Sequence, residues 1–256
     1  MIVGFTGSGN MAAAIARGLA AGDEPPAMLF TDSGSGRASR LAAELGGDSR
    51  ESNAELAAEA GLLILAVKPK ALDSVAADLA AFSGPIVSVL GATPLATLRE
   101  AFPSAPILRT MPNVAVEVRK GVICHAAEVA DREQLGDALA LLAELGSLYE
   151  LSEELLDPAT AIMGCSGAYL ALACGALAEA GAEAGIEPGL ARKMVAETAW
   201  GTGELLLTHE PRTLAKAIAS PGGSTEAGID ALEAAGGPDA FKLAVVASLE
   251  RMAGTR

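Results

Sequence analysis

The sequence has few of the side chains from which metal sites and disulfide frameworks are built. It contains two histidines and three cysteines, and the cysteines are Cys124, Cys165 and Cys174. Their spacing fits neither a C-x-x-C pair nor a zinc motif, and an odd number cannot form a complete disulfide framework. His125 and His209 also lie in no pattern of ligand spacing, so we expect packed or surface histidines and no metal site. A reducing, cytoplasmic environment is therefore the default expectation.

Positive charge is also scarce. The chain has 18 lysines and arginines against 32 aspartates and glutamates, which gives a formal net charge of −14 at pH 7. A field of this sign repels a phosphate backbone, so we expect no nucleic-acid partner. A small anionic ligand would have to be bound by local donors. The N-terminus lacks a basic region and begins with an apolar strand, so no signal peptide is expected.

A stretch without any charged residue runs from Pro158 to Ala178, and its length is close to that of a membrane span. Gly, Ala, Ser, Thr and Cys fill much of it, however, and Asp157 and Glu179 bound it without a basic cluster. This composition favours a helix that is buried by neighbouring helices or by a partner subunit. We therefore expect no membrane association.

The N-terminal residues contain a dinucleotide-binding fingerprint. The apolar run Ile2–Thr6 is typical of a buried strand, and the sequence that follows, GSGNMA, matches G-x-G-x-x-G/A before an Ala-rich helix. In this motif Gly7 permits a tight turn, Gly9 lets a pyrophosphate approach the backbone, and Ala12 lets the helix lie close to the strand. The helix N-terminus supplies free N–H groups for the phosphates.

Strands alternate with helices until about residue 151, and this pattern predicts a doubly wound, mostly parallel sheet. From Ser152 onwards we expect helices only, several with proline in the first turn. The predicted fold class is therefore α/β, with a Rossmann-type dinucleotide-binding domain at 1–152 and an all-helical domain at 153–256. The predicted strands are Ile2–Thr6, Ala27–Thr31, Leu62–Val67, Pro85–Leu90, Pro106–Thr110, Gly121–His125 and Ser147–Leu151.

The end of the second predicted strand bears on the choice between NADH and NADPH. Asp32 lies twenty residues after the fingerprint alanine, where an acidic side chain binds the ribose 2′-hydroxyl of NAD. Ser33, Ser35, Arg37 and Arg40 follow it, and these side chains suit a 2′-phosphate. The cofactor preference stays open, and Asp32 and Ser33 can equally be turn residues.

The loops after the other strands are expected at the same edge of the sheet. Lys68 is held extended by Pro69 and either contacts cofactor or substrate or is a solvated loop lysine. Pro112 fixes a turn in which the Asn113 amide can contact a carboxamide or a ribose, or the pair simply ends a strand. The candidate cofactor residues are Gly7, Ser8, Gly9, Asn10, Met11, Asp32, Ser33, Arg37, Asn53, Val67, Lys68, Pro69, Met111, Pro112 and Asn113.

A second glycine-rich loop, Ser220–Thr225, precedes a predicted helix. Its backbone N–H groups form a candidate anion nest, which suits a carboxylate in an otherwise acidic protein. The alternative is an ordinary helix-capping loop. The candidate substrate-binding residues are Ser220, Gly222, Gly223, Ser224 and Thr225.

Several motifs together resemble the pyrroline-5-carboxylate reductase family over nearly the whole chain. They are GFTGSGNMAAAI at Gly4–Ile15, AVKPK at Ala66–Lys70, RTMPNVAVEVRKGV at Arg109–Val122 and SPGGSTEAGIDALE at Ser220–Glu233. The resemblance implies reduction of the cyclic imino acid 1-pyrroline-5-carboxylate to L-proline with NADPH or NADH. It also implies a helical dimerisation domain, homodimers with interleaved helices, and frequent assembly of five dimers into a decamer.

The resemblance further implies an active site between the nucleotide domain of one subunit and the helices of its partner. Thr225 matches the family's pocket threonine, and the Gly222–Thr225 amides match its carboxylate-binding amides. We take Thr225 and Lys68 as the candidate catalytic residues.

Three departures from the family pattern concern helix geometry and substrate shape. Gly167 stands where proline is usual, Gly91-Ala92-Thr93 replaces the usual A-G-I, and Glu117–Lys120 is more charged than usual. The alternatives are a related imine reductase with a different cyclic imine and a non-catalytic NAD(P)-binding regulator. A β-hydroxyacid dehydrogenase would need a lysine in the helix Ala159–Gly185, which has none.

Overall fold

One mixed sheet organises the N-terminal part of the chain. In the computed structural model, which describes residues 1–128 and 132–254, eight strands are ordered β3-β2-β1-β4-β5-β6-β7-β8. Neighbouring strands are parallel except for β6 and β7, which are antiparallel. The strands are β1 Ile2–Thr6, β2 Ala27–Thr31, β3 Asp48–Ser49, β4 Leu62–Leu65, β5 Ile86–Ser88, β6 Ile107–Pro112, β7 Gly121–Ala126 and β8 Gly146–Leu151.

Twelve helices accompany these strands in the described part of the chain. They are α1 Asn10–Ala20, α2 Arg37–Leu45, α3 Asn53–Glu59, α4 Leu72–Asp78, α5 Leu95–Ala101, α6 Gly136–Ala143, α7 Leu156–Ala159, α8 Ser166–Glu183, α9 Pro188–Leu206, α10 Pro211–Ile218, α11 Ser224–Ala234 and α12 Gly237–Ala253. Contacts divide the chain into two compact units, one formed by 1–164 with the stretch from Leu249 and the other by Cys165–Ser248. The last residues of the predicted second domain, 255 and 256, lie outside the described residues.

Helices on both faces of the sheet bury two apolar clusters. On one face α1, α2 and α6 cover Val3, Phe5 and Ile64, and on the other α3, α4, α5 and α7 cover Leu63 and Leu65. Strand β4 is thus buried on both faces, which explains its uninterrupted apolar sequence. The predicted doubly wound, mostly parallel sheet is confirmed.

Some predicted element boundaries were wrong. Strand β6 continues through Met111 to Pro112 because it pairs with the antiparallel β7, where Pro112 lies opposite Ile123. Strand β3 was not predicted, since its two exposed residues carry no apolar signal. The predicted helix from Pro158 is interrupted by a π-helical turn at Thr160–Gly164. Hereafter we call Thr160–Gly164 the π turn.

The second unit contains helices and little core of its own. Its buried hydrophobic residues between 165 and 248 are Ala178, Ala191 and Leu214. In contrast, Leu172 and Trp200 are 75% and 70% exposed. By length and composition the stretch Glu153–Glu183 could cross a membrane, and only 17% of its most apolar window is buried within the chain.

Candidate active site

The turn between β1 and α1 has the geometry that the glycine fingerprint requires. Gly7 has a φ of +93°, and a Cβ there would lie 2.7 Å from the carbonyl oxygen of Ala66. Gly9 is the N-cap of α1, and a Cβ at this position would meet no atom within 4 Å. Ala12 is completely buried beneath the turn. The backbone therefore leaves open space at the N-terminus of α1, where a phosphate group can approach.

A cleft of about 380 Å³ opens in front of this turn. Its lining brings together the predicted cofactor residues Gly7, Ser8, Gly9, Asp32, Ser33, Arg37, Asn53, Val67 and Lys68. An adjoining cavity of about 520 Å³ shares Ser8, Gly9 and Arg37 and is also lined by Asn10 and Arg40. Neither cavity is lined by Met11, Pro69, Met111, Pro112 or Asn113.

The carboxylate of Asp32 is bound within its own loop. Its two oxygens accept hydrogen bonds from Gly34 N, Ser35 N, Ser35 Oγ and Ala38 N at 2.7, 2.9, 3.0 and 2.8 Å. Burial alone raises the pKa of this carboxyl, but the four hydrogen bonds outweigh burial and lower its pKa to about 2. A carboxylate has about four lone-pair positions, so little capacity is left for a ribose hydroxyl. The geometry favours the turn role that the sequence left open.

Helix α4 also lines the cleft, and its residues were not among the predicted cofactor residues. Ala71, Ser74, Val75 and Asp78 line the cleft from this helix and its N-cap. Their spacing of three, four and seven residues places them on one helical face, and this is the signal that could have revealed them. Asp78 Oδ2 accepts a 2.9 Å hydrogen bond from Asn53 Nδ2 and so helps to fix that amide.

Lys68 and Asn113 have different surroundings at the edge of the sheet. Lys68 is exposed and extended, with φ −73° and ψ 144°, as the following proline requires. The Asn113 amide is used internally, because its Oδ1 accepts from Val122 N at 3.1 Å and its Nδ2 donates to Met163 O at 3.2 Å. The predicted turn at Pro112 was wrong, since Pro112 belongs to β6, and the role of Asn113 toward a cofactor stays a prediction.

The second glycine-rich loop lies in the helical unit and ends at the N-terminus of α11. Gly222 has a φ of +69°, and its N–H donates to Glu226 Oε2 at 2.7 Å. Gly223 N donates to Ser220 O at 2.9 Å. Of the four predicted nest amides, Gly222 and Gly223 are therefore engaged within the loop. Ser224 and Thr225 are exposed in the first turn of α11, where N–H groups have no partner in the preceding turn.

Two of the departures from the family pattern, at Ala92 and Gly167, differ in their local backbone geometry. Ala92 has a φ of +55°, a left-handed conformation that favours glycine. Gly167 lies in the first turn of α8, where a Cβ would meet no atom within 4 Å. His125 is buried, and its Nδ1 lies 3.3 Å from Ala126 O, which is consistent with a packed histidine.

Comparison with known proteins identifies both parts of the chain. Residues 153–255 match the family described as pyrroline-5-carboxylate reductase dimerisation, and residues 2–90 match that described as NADP oxidoreductase coenzyme F420-dependent. The pyrroline-5-carboxylate reductase of Pseudomonas aeruginosa is 34% identical over 98% of this chain and 95% of the relative. That of Synechocystis sp. is 36% identical over 78% of this chain and 76% of the relative.

Solved structures agree with the sequence comparison. The chain is similar to 1-pyrroline-5-carboxylate reductase from Streptococcus pyogenes, with a TM-score of 0.86, 29% identity and 98% coverage of both chains. Pyrroline carboxylate reductase from Plasmodium falciparum with NADP bound gives a TM-score of 0.83 at 25% identity, covering 98% of this chain and 97% of that one. The chain belongs to the pyrroline-5-carboxylate reductase family, whose members are NAD(P)H-dependent oxidoreductases that reduce 1-pyrroline-5-carboxylate to proline.

Proposed function

We propose that this chain reduces 1-pyrroline-5-carboxylate to L-proline with NADPH bound in the cleft before α1. The observation that carries the proposal is the cleft itself, where a glycine turn, open space at Gly9 and Lys68 meet. When bound, the cofactor supplies a hydride to the C=N carbon of the imine. The domains assigned to these tasks are 1–152 for the cofactor and 153–256 for the substrate and for assembly.

The loop after β2 supports NADPH over NADH as the preferred cofactor. Because the Asp32 carboxylate is bound by N–H groups of its own loop, few of its lone pairs are left to accept from a ribose 2′-hydroxyl. Ser33 and Arg37 line the cleft beside it, and Arg40 lies in the adjoining cavity. A guanidinium group pairs well with a phosphate, so these residues suit a 2′-phosphate. NADH would bind without this contribution.

The loop before α11 supports the substrate assignment. We assign the substrate carboxylate to the exposed first-turn amides of Ser224 and Thr225, where the helix dipole favours negative charge. The Thr225 hydroxyl orients the ring nitrogen of the imine. A hydroxyl is a poor acid, so the proton on nitrogen comes from water before the substrate binds. Most of the rate acceleration then comes from holding the nicotinamide and the imine close together in the reactive orientation.

The helical unit supports assembly of the chain with copies of itself. The match to a dimerisation family and the small core of this unit both indicate oligomerisation. We assign the exposed apolar side chains of α8 and α9 to a homodimer interface, and we propose further assembly of five dimers into a decamer. We place the enzyme in the cytoplasm, without a nucleic-acid or membrane partner.

A steady-state assay of NADPH and NADH oxidation with 1-pyrroline-5-carboxylate tests the proposal. We expect turnover with both cofactors and a higher kcat/KM with NADPH. Thr225→Ala should lower kcat/KM for the imine about five- to tenfold, since a neutral hydrogen bond contributes about 1 kcal/mol. Its affinity for NADPH should stay unchanged, and Thr225→Ser, which keeps the hydroxyl, is the matched control.

Three results would contradict parts of this assignment. A wild-type protein that binds NADPH but oxidises none of it would be a non-catalytic regulator. Faster reduction of a cyclic imine that lacks the carboxylate would remove 1-pyrroline-5-carboxylate as the substrate. An unaltered kcat/KM for Thr225→Ala would remove this hydroxyl from the mechanism.

A further inference from the structure

A buried arginine lies among apolar side chains on one face of the sheet. Arg109 is on β6 and is 3% exposed. The neighbouring residues on the same face of β6, Ile107 and Met111, belong to an apolar cluster with Leu95 and Leu156. Taking a charge out of water into such a layer is costly unless it is paired. Apolar packing alone therefore does not explain why an arginine occupies this position.

The charge of Arg109 is paired with the segment that leaves the sheet. Its Nη1 donates to Glu153 Oε1 at 2.7 Å, and its Nη2 lies 3.9 Å from Asp157 Oδ1. The same Glu153 oxygen also accepts from Leu95 N, at 2.6 Å, where α5 begins. The Nε of Arg109 finds no acceptor among the described residues. Arg109 thus connects β6, α5 and the residues after β8 at the cost of one unsatisfied donor.

The residue that follows β6, Asn113, binds the far end of the segment that leaves the sheet after β8. Asn113 follows β6 directly and donates to the carbonyl oxygen of Met163, which lies in the π turn. We call Glu153–Gly164 the connector, since it contains α7 and the π turn and is the last part of the first unit before Cys165. Both ends of the connector are therefore bonded to β6 or to the residue that follows it.

The position of these contacts in the sheet connects them with ligand binding. In doubly wound sheets ligands bind beyond the carboxyl ends of the strands, and Asn113 follows the carboxyl end of β6. π turns replace regular helix at a cost and are frequent at functional sites. The connector directly precedes Cys165, where the second unit begins.

We propose that Arg109 and Asn113 are positioning residues that hold the connector on β6, so that turnover depends on them while cofactor affinity does not. The proposal rests on the proposed function, which assigns the cofactor to 1–152 and the substrate to 153–256, where the connector begins. Neither residue lines the cofactor cleft. We call the contacts of Arg109 and Asn113 with the connector the clamp. Loss of the clamp should loosen the connector and lower turnover, and it should leave the cofactor cleft intact.

The test compares Arg109→Met and Arg109→Lys with wild type. Arg109→Met should speed hydrogen–deuterium exchange of the peptide that spans the connector and leave the peptide that spans α1 unchanged. It should lower kcat on the order of ten- to a hundredfold, as expected for a small misplacement of reacting groups. The Kd for NADPH, measured by calorimetry, should change by less than about twofold. Arg109→Lys keeps one ion pair and should recover part of kcat.

The matched control is Arg132→Met, which breaks an exposed Arg132–Glu150 pair with a separation of 2.5 Å in the same unit. This variant should behave as wild type in every measurement. The proposal would be overturned if Arg109→Met left kcat unchanged, or if it left the hydrogen–deuterium exchange of the connector peptide unchanged. A loss of NADPH affinity in proportion to the loss of kcat would also overturn it.

A second variant keeps the proposal testable if Arg109→Met does not fold. Asn113→Ala releases Met163 O while Arg109 stays paired, and the same fall in kcat with unchanged NADPH affinity is expected. If this variant mainly loses NADPH affinity, Asn113 is a cofactor ligand and the clamp is refuted. A wild-type protein without turnover would count against the proposed function alone, because the exchange measurement still tests the clamp.

Discussion

At the scale of single residues, Asp32 shows how a charge can serve the fold beside a ligand site. Its carboxylate is enclosed by N–H groups of the loop and of the first turn of α2, where it acts as a capping group. Because these bonds favour the ionised form, its pKa falls from the usual 3.8 to about 2. The loop conformation that presents Ser33 and Arg37 therefore depends on this one ionised side chain.

This dependence predicts a pH-sensitive stability difference. Asp32→Asn should lower the free energy of unfolding at neutral pH by about 1 kcal/mol, the usual contribution of a capping side chain. Since the folded-state pKa lies below the unfolded value of 3.8, the stabilisation is complete above that value and is lost as the pH falls towards 2. Denaturant unfolding of both proteins at several pH values measures the difference, which should shrink below about pH 4.

The matched control is Asp23→Asn, which changes an exposed aspartate in the turn after α1. We expect it to leave the free energy of unfolding unchanged at every pH. If the difference in the free energy of unfolding between Asp32→Asn and wild type stays constant down to about pH 3, ionisation of Asp32 contributes nothing to stability.

At the scale of elements, α1 packs unusually close to the backbone that follows β6. A Cβ on Gly18 would lie 2.1 Å from the carbonyl oxygen of Val116, which belongs to a short 3₁₀ turn at Val114–Val118. It would also lie 2.7 Å from Leu145 Cδ2. The absence of a side chain at Gly18 lets α1 approach this backbone closely. This close approach holds the N-terminus of α1 in front of the cleft.

Gly18→Ala should therefore destabilise the protein although alanine is the better helix former. We expect a loss of about 1–3 kcal/mol from overpacking, against a gain of up to about 1 kcal/mol in helix propensity. Thermal or denaturant unfolding measures the net effect. Gly136→Ala, at the start of α6 with no atom within 4 Å of its Cβ, is the matched control and should be neutral or stabilising. Equal stability of the two variants would refute the close-packing argument.

The elements that the sequence predicts well are those with a strong local signal. The apolar runs of β1, β2 and β4 and the glycine turn before α1 depend on residues that are adjacent in the chain. Long-range partners decide the rest. Pro112 stays in β6 because β7 pairs with it, and the π turn forms where Asn113 binds Met163. The sequence left open whether Asp32 binds a ribose or stabilises its own turn, because the loop N–H groups that bind its carboxylate are not visible in a linear motif.

At the scale of the whole molecule, the two units differ in how completely they bury their apolar side chains. The sheet unit has two apolar clusters with many side chains that are fully buried. The helical unit leaves Leu172 and Leu207 75% and 80% exposed. Exposure on this scale is typical of a surface that a second subunit covers. The fold of the helical unit and its assembly are therefore linked.

This link predicts the effect of a charge on α8. Leu172→Glu should shift the protein towards the monomer, because a carboxylate would be buried without a partner at the interface. Size-exclusion chromatography with light scattering measures the mass over a range of concentrations. Val118→Glu replaces a residue of the sheet unit that is 67% exposed, and this control should keep the wild-type mass. A wild-type mass for Leu172→Glu would place the interface elsewhere.

The single tryptophan gives the molecule a built-in optical probe. Trp200 lies on α9 and is 70% exposed in one chain, and the sequence contains no second indole whose signal could mask it. Its emission should be red-shifted in a separated subunit and blue-shifted once a neighbour covers the ring. Dilution of the unlabelled native protein, followed by its intrinsic fluorescence, would then report association at concentrations too low for light scattering.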